Sequence, residues 1–555
     1  MIGVVASEEE HAAVREFFEL FKTPWQFHRE GAPYQVLICS SAAVPQTSAK
    51  LILIYGAEEQ SFDREHRIES EATRQSALLK AGLDQIPIYG ACRTFKNMGL
   101  ELLTDENTGE AAAVEITSDR QTFIRIGFDL FAEIKYLLTL GQPVIFAHIP
   151  TLDLHIAFLR DLMTRHSVPL LEIPPVPAGH DFIACLTHDV DHPRLRAHLG
   201  DHTMFGFLYR AVIGSLVGFG RGRRTLREVA ANYRAALSLP FVYLGIAQDF
   251  WNQFDRYLAI EGEAKSTFFV IPAKGNPGED AEGRRPPKRA ARYNLADIAS
   301  DLRRLISARR EIAVHGIDAW RDPAKGRAEL ERIRDVTGAS DIGIRMHWLF
   351  FSEESVAVLE QAGYSYDSTV GYNNAVGYRA GTMQAFKPLA VQRLLELPMH
   401  LMDTAMFYPS HMNLSPTEAA TEMNALMDNA VRFGGVLTVN WHDRSIAPER
   451  LWDAPYVELV KELKRRGAWM PTAAEAVSWF RERRAATIDT ANLADGSVRV
   501  SLRKRDDRLP GFRLRAHRSL PRHSPGSDDD AFTDFTFMRS DEFHLATAEQ
   551  TFSAV

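Results

Sequence analysis

The chain has 555 residues, too many for one ordinary domain, and two to four domains are expected. Its composition, 45% hydrophobic and 25% charged, is that of a globular protein, and a net charge of -8 excludes bulk electrostatic attraction to nucleic acid. Cys39, Cys92 and Cys185 stand far apart, which excludes a disulfide framework or a CxxC site and suits a reducing cytoplasm. The first residues, Met-Ile-Gly-Val-Val-Ala-Ser-Glu-Glu-Glu, have neither the basic nor the apolar region of a signal peptide, and no unbroken apolar run of about 18 residues predicts a transmembrane segment. A cytoplasmic location follows as an expectation.

Residues 1–175 read as a small α/β domain. Strand-like runs at 35–39, 50–55 and 86–89 alternate with charged segments, and the spacing of Ile124, Phe128, Phe131, Ile134 and Leu137 predicts a helix over 123–140 capped by Gly141. The proline-rich tract from Glu172 to Gly179 predicts an extended linker. A buried strand is then expected from Ile183, ending in His188-Asp-Val-Asp-His192. In extended chain Asp189 and Asp191 point one way and His188 and Val190 the other, so both carboxylates face one space. One of two such carboxylates can bind a metal while the other works as a base.

Residues 193–264 predict a helical insertion. Its apolar middle, Phe205 to Gly220, is followed by Arg221, Arg223, Arg224 and Arg227. That pattern suits contact with a membrane surface or a lipid-linked glycan, although a helix pair packed on the domain is the plainer reading. From Lys265 short apolar runs alternate with helical stretches: 266–271, 311–315, 343–348, 364–369, 394–400, 436–443 and 467–472 read as strands, and 295–308, 353–362, 416–433 and 455–465 as helices. With the strand at 183 this makes about eight strands in repeated strand-helix units, enough to close a barrel. Asp189, Asp191, His315, His347, Asp367, His400 and His442 fall at or near the strand ends, where barrels carry their chemistry. Beyond 488, Val498–Arg503 and Leu509–Arg515 predict a strand pair, and Arg522–Asp530 a mobile loop.

Over residues 181–485 these motifs resemble the NodB-like polysaccharide deacetylases of carbohydrate esterase family 4, a distorted (β/α) barrel of seven to eight strands. Thr187-His-Asp189-Val-Asp191 is similar to the motif that supplies a catalytic base and a metal-binding aspartate, and Ser266-Thr-Phe-Phe-Val to the strand that follows it. The resemblance implies that Asp189 is the base and Asp191 a ligand. Glu311-Ile-Ala-Val-His315-Gly matches the start of the family's His-x-x-x-His motif, but Ala319 stands where the second histidine belongs. Arg345 matches the arginine that orients the base, and His347 replaces a proline two residues on. Asn440-Trp-His442-Asp443 resembles the motif whose histidine is the general acid. Tyr366-Asp367-Ser-Thr and Leu397-Pro-Met-His400 resemble connecting strands, so Asp367, His400 and Trp441 are expected at the substrate.

The implied activity is divalent-metal hydrolysis, with zinc as cofactor, of acetyl groups from an N- or O-acetylated sugar or glycan precursor. Asp191, His315 and a third ligand would hold the ion. His347 is preferred to His192, which faces away from Asp191. A metal-independent amidohydrolase of the same fold and an inactive glycan-binding scaffold are the rival readings.

Overall fold

The computed structural model describes residues 1–40, 44–96, 102–118, 120–489, 497–502, 506–518 and 532–544. The chain divides into two compact units. One comprises Met1–Gly179, Tyr378–Leu389 and Ser478–Val555, and the other His180–Gly377 and Ala390–Val477.

The second unit is built on one curled parallel sheet. Its strands are β1 (Phe182–Val190), β2 (Ser266–Val270), β3 (Glu311–Gly316), β4 (Gly343–Met346), β5 (Tyr366–Asp367), β6 (Leu395–Glu396), β7 (Leu401–Met402) and β8 (Val436–Asn440). The order across the sheet is β6-β5-β4-β3-β2-β1-β8-β7, with every one of these pairings parallel. That is the cyclic order of a (β/α) barrel opened between β6 and β7, so the α/β barrel expected from the sequence is present in distorted form. All nine residues of β1 are buried, as a central strand of a parallel sheet requires.

Two details of the strand count differ from expectation. The run at 467–472 contributes only Ala468–Trp469, which pairs beside the start of β1 and lies off the main path. The run at 394–400 and the two residues after it are two short strands, β6 and β7. Pro398 lies between them and has no N–H to give a ladder.

The helices follow the amphipathic spacing. Pro416–Phe433 starts on a Ser415/Glu418 capping box with proline in its first turn, and it buries Ala419, Met423, Leu426, Met427 and Ala430. Between β1 and β2 the insertion forms α1 (His202–Gly220) and α2 (Leu226–Tyr243), then a helix at Phe254–Glu261.

In the other unit a six-stranded sheet runs Ala113–Thr117, Thr122–Ile126, Leu51–Tyr55, Val36–Cys39, Ile2–Val5, Trp25–Phe27. The helix predicted over 123–140 is therefore half strand: Thr122–Ile126 pairs parallel with Leu51–Tyr55, and the helix spans only Leu130–Thr139. Gly127 and the N-cap Asp129 separate the two elements, because the Asp129 carboxylate accepts the Ala132 N–H at 3.0 Å. Gly141 does take the left-handed conformation that ends this helix, with φ of 75°.

The two C-terminal strands predicted as a pair belong to different sheets. Phe512–His517 pairs with Leu170–Glu172 and Phe532–Phe537, and Ser497–Ser501 pairs with Thr487–Asp489 and Asp541–His544. The C-terminal strands thus count with residues 1–179 in one unit. Arg522–Asp530 lies outside the described residues.

Candidate metal centre and active site

The site gathers at the carboxyl ends of β1, β3, β4, β7 and β8. The alternation in β1 divides its polar residues as the spacing predicts. His188 points to the back of the sheet, where it is fully buried: Nδ1 donates to the Trp441 carbonyl at 2.8 Å and Nε2 lies 2.8 Å from Glu261. Tyr456 and Ser266 donate to the same carboxylate, so His188 belongs to a closed structural network. Asp189 and Asp191 face the other way, towards His315.

Asp191 Oδ1 lies 3.4 Å from His315 Nε2 and 3.2 Å from His347 Nδ1, and these two nitrogens are 2.9 Å apart. Among the described residues, these three donors form the group able to hold a metal ion. Donors bound tetrahedrally to one zinc ion at ~2.0–2.1 Å stand ~3.3 Å apart, so the spacing fits. Two further observations support the fit. Asp191 Oδ1 is buried with no hydrogen-bond partner, and His315 Nδ1 donates to the Arg345 carbonyl at 3.0 Å, which leaves its Nε2 lone pair facing Asp191.

Charge supports the same state. Burial works against ionisation of Asp191, but the neighbouring imidazoles of His347 and His315 hold its carboxylate well below the usual range. Burial lowers His347, which favours its neutral form. An ionised carboxylate with a neutral imidazole is the protonation state that binds a metal.

The second histidine that the motif resemblance implies at position 319 has no room there. Ala319 is fully buried, and a Cβ added at Gly326 would stand 3.2 Å from the Ala319 Cβ, so the adjoining helix is packed against an alanine. His347 Nδ1 stands in its place as the third candidate donor. His192 turns aside, its Nδ1 3.2 Å from His198 Nε2, while His198 is held by Asp201 at 2.8 Å.

Asp189 is positioned separately. Arg345, fully buried, donates from Nη1 to Asp189 Oδ1 at 3.0 Å and to Thr187 Oγ1 at 2.7 Å, and is fixed from behind by the Ser368 carbonyl and hydroxyl. Asn440 donates to Asp189 Oδ2 at 2.7 Å. Burial raises the Asp189 carboxyl, yet the charges of His315, Arg345 and His442 outweigh it and keep the group below its ordinary range.

His442, two residues past β8, lies on the far side of Asp191, with Nε2 3.9 Å from Asp191 Oδ2. Its Nδ1 is 2.6 Å from Asp403 Oδ1, and its own N–H donates to Asp403 Oδ2 at 2.8 Å. Burial favours neutral imidazole, but the carboxylates of Asp403, Asp191 and Asp189 push His442 up to about 10. Three carboxylates thus displace the titration of this imidazole upward from its ordinary near-neutral range.

The three residues expected at the substrate lie elsewhere. Trp441 alternates away from Asn440 and His442 and is fully buried against Phe407 and Tyr456. His400 is buried between β7 and β8, with Nδ1 accepting the Thr438 N–H at 3.3 Å. Asp367 sits opposite Glu396 on the paired strands β5 and β6, bonded to the Thr369 hydroxyl. Burial keeps Asp367 up at about 6, and burial with the Asp367 charge holds Glu396 well above its usual range, so the pair shares a proton and is part of the core.

Sequence reasoning missed Asp403, Asn440 and Trp348. Trp348 follows the candidate donor His347, is 42% exposed, and holds a left-handed backbone with φ of 64°. Asn440 was within reach, since it stands two residues before His442 on the same strand face.

No protein-family profile matches the sequence, and no curated protein matches it. Among solved structures the chain is similar to a Mycobacterium smegmatis protein assigned to the polysaccharide deacetylases, at 18% identity and a TM-score of 0.34, covering 56% of this chain and 95% of that one. It is also similar to a peptidoglycan deacetylase from Bacillus subtilis (12% identity, TM-score 0.26, 55% and 93% covered). A third is a carbohydrate esterase family 4 pseudoenzyme from Bacillus anthracis (12% identity, TM-score 0.26, 55% and 70% covered). Each of these similarities spans about half of this chain.

Proposed function

We propose that the protein is a metal-dependent deacetylase acting on an acetylated carbohydrate. One observation carries the reading: the donor triad Asp191, His315 and His347 lies between a carboxylate held ionised by Arg345 and an imidazole held by Asp403. A triad of protein donors leaves a fourth position open to water or substrate, the pattern of catalytic zinc sites. Flanked by a base on one side and an acid on the other, it serves hydrolysis.

Asp191, His315 and His347 would hold the divalent cation, zinc by its donor set, and such an ion polarises a carbonyl and lowers the pKa of bound water. Asp189, kept ionised by Arg345 and Asn440, accepts the proton of the attacking water. His442, kept protonated by Asp403, donates a proton to the departing sugar amine or alkoxide. Water's oxygen bonds to the acyl carbon, the C–N or C–O bond breaks, and acetate leaves. Trp348 offers an exposed aromatic face beside the triad for a sugar ring. All three cysteines are buried and unpaired, which supports the cytoplasm as the compartment.

The test is release of acetate from acetylated oligosaccharides by the wild-type chain and by Asp189→Asn, each with its zinc content measured. The expected result is one zinc per chain in both proteins and activity in the wild type alone. Full activity after complete chelation would contradict the proposal.

A further inference from the structure

The hairpin inserted between β1 and β2 presents an outward surface that is both apolar and basic. More than half of the large hydrophobic side chains exposed among the described residues fall between Leu199 and Ile246. On α1 one stripe, Thr203, Phe207, Ala211 and Ser215, is buried, and Ser215 accepts a hydrogen bond from Asn232 of α2 at 2.8 Å. The complementary stripe of Phe205, Tyr209, Ile213 and Leu216 is exposed by 60%, 63%, 50% and 54%. On α2, Leu237 and Phe241 are 75% and 53% exposed, and Leu244 just past its end 71%. Helical spacing thus lays an uncovered apolar stripe along each helix.

Charge separates this stretch from the rest of the chain. From Leu199 to Ile246 there are six arginines against Asp201 and Glu228, a net of +4 within a protein of net -8. Arg221, Arg227 and Arg234 are exposed and make no ion pair among the described residues. Arg210 pairs with Glu449 at 3.1 Å, and Arg224 donates to the Glu449 carbonyl, so the hairpin is fastened to the loop that follows His442. By length and composition α1 could cross a membrane. Its packed stripe and the ion-paired Arg210 at its middle hold it on the domain, which suits a helix lying in the interface plane.

We propose that this hairpin seats the protein on an anionic lipid bilayer, with the apolar stripes at the headgroup boundary and the arginines among the lipid phosphates. A second copy of the chain is the poorer occupant, because it would bring two surfaces of +4 together. Seating here would fasten the loop that follows His442 to the membrane-bound hairpin through Arg210 and Arg224. The inference does not depend on the deacetylase reading, since binding is measured without any substrate.

The test is flotation of the full chain with phosphatidylcholine vesicles prepared with and without phosphatidylglycerol. Binding is expected to the anionic vesicles, roughly tenfold weaker to the neutral ones, and weakened by salt. The pairs Leu237→Ser/Phe241→Ser and Arg221→Glu/Arg227→Glu should each reduce binding by roughly tenfold while melting at the wild-type temperature. Wild-type hydrogen exchange should slow at residues 199–246 when anionic vesicles are added, a readout that needs no variant. Failure of the wild type to bind either vesicle overturns the proposal. So does unchanged binding by both variants, or a solution dimer that Leu237→Ser/Phe241→Ser dissociates while vesicles are ignored.

Discussion

Arg345 Nη1 reaches Asp189 Oδ1 at 3.0 Å, with both side chains buried beneath the metal triad. The arginine makes no second ion pair among the described residues, and its charge, with those of His315 and His442, keeps this carboxylate ionised. Arg345→Met should leave an uncompensated buried carboxylate and destabilise the fold by about 3–5 kcal/mol, read from denaturant unfolding. The Asp189 carboxyl should then titrate higher, moving the acid limb of the pH-rate profile upward. The sign in the wild type is the opposite. Its carboxyl is held below the ordinary range, so its contribution to stability is present above the unfolded pKa and is lost as pH falls through the lower folded one.

Asp189→Asn keeps the shape and removes the proposed base. The variant should bind zinc as the wild type does and lose about 10²–10⁴ in kcat, since that is the range a positioned base contributes. Activity equal to the wild type would remove Asp189 from the chemistry.

The His442 and Asp403 pair predicts a second pH effect. His442 is raised to about 10 in the folded chain, so the stability it contributes is complete below the unfolded pKa near 6.5 and is lost as pH rises through about 10. Asp403→Asn should abolish most of that alkaline loss in metal-free protein, bring the basic limb of the pH-rate profile to lower pH, and reduce kcat by at least tenfold. An unchanged basic limb would show that His442 is not the acid.

Trp348 is predicted to hold the sugar ring. Trp348→Ala should raise KM for oligosaccharide by roughly tenfold, as loss of one stacked ring implies, and leave zinc affinity within twofold. A fall in kcat at constant KM would place this side chain in the chemistry.

The carboxyl pair Asp367 and Glu396 is predicted to be structural. Because both are raised, their contribution is full below the unfolded carboxyl pKa near 4 and falls as pH rises through about 6. Asp367→Asn should therefore gain stability at pH 8 relative to wild type, with kcat unchanged.

Much of the barrel and half of the site could be read from residue order. Strand ends bearing Asp189, Asp191 and His315 were legible because period-two alternation decides which side chains share a face. His347 was legible as a replacement ligand because it stands beside His315 at the end of the neighbouring strand. Asp403 was not, since the run around Pro398 looks like one strand when it is two, and the acid that orients His442 follows the second. Trp441 misled for the opposite reason: its neighbours face the site and so it cannot. The strand Thr122–Ile126 hid inside a helical pattern because its apolar residues fit both periods, and only pairing with Leu51–Tyr55 decides between them.

The measurement that bears most directly on the central claim is anomalous diffraction at the zinc edge from crystals of the chain soaked in zinc. One peak bonded to Asp191, His315 and His347 is the predicted result, with Asp189 outside the coordination sphere and on Arg345. Absence of a peak there, or a peak on His192 and His198 instead, would contradict it.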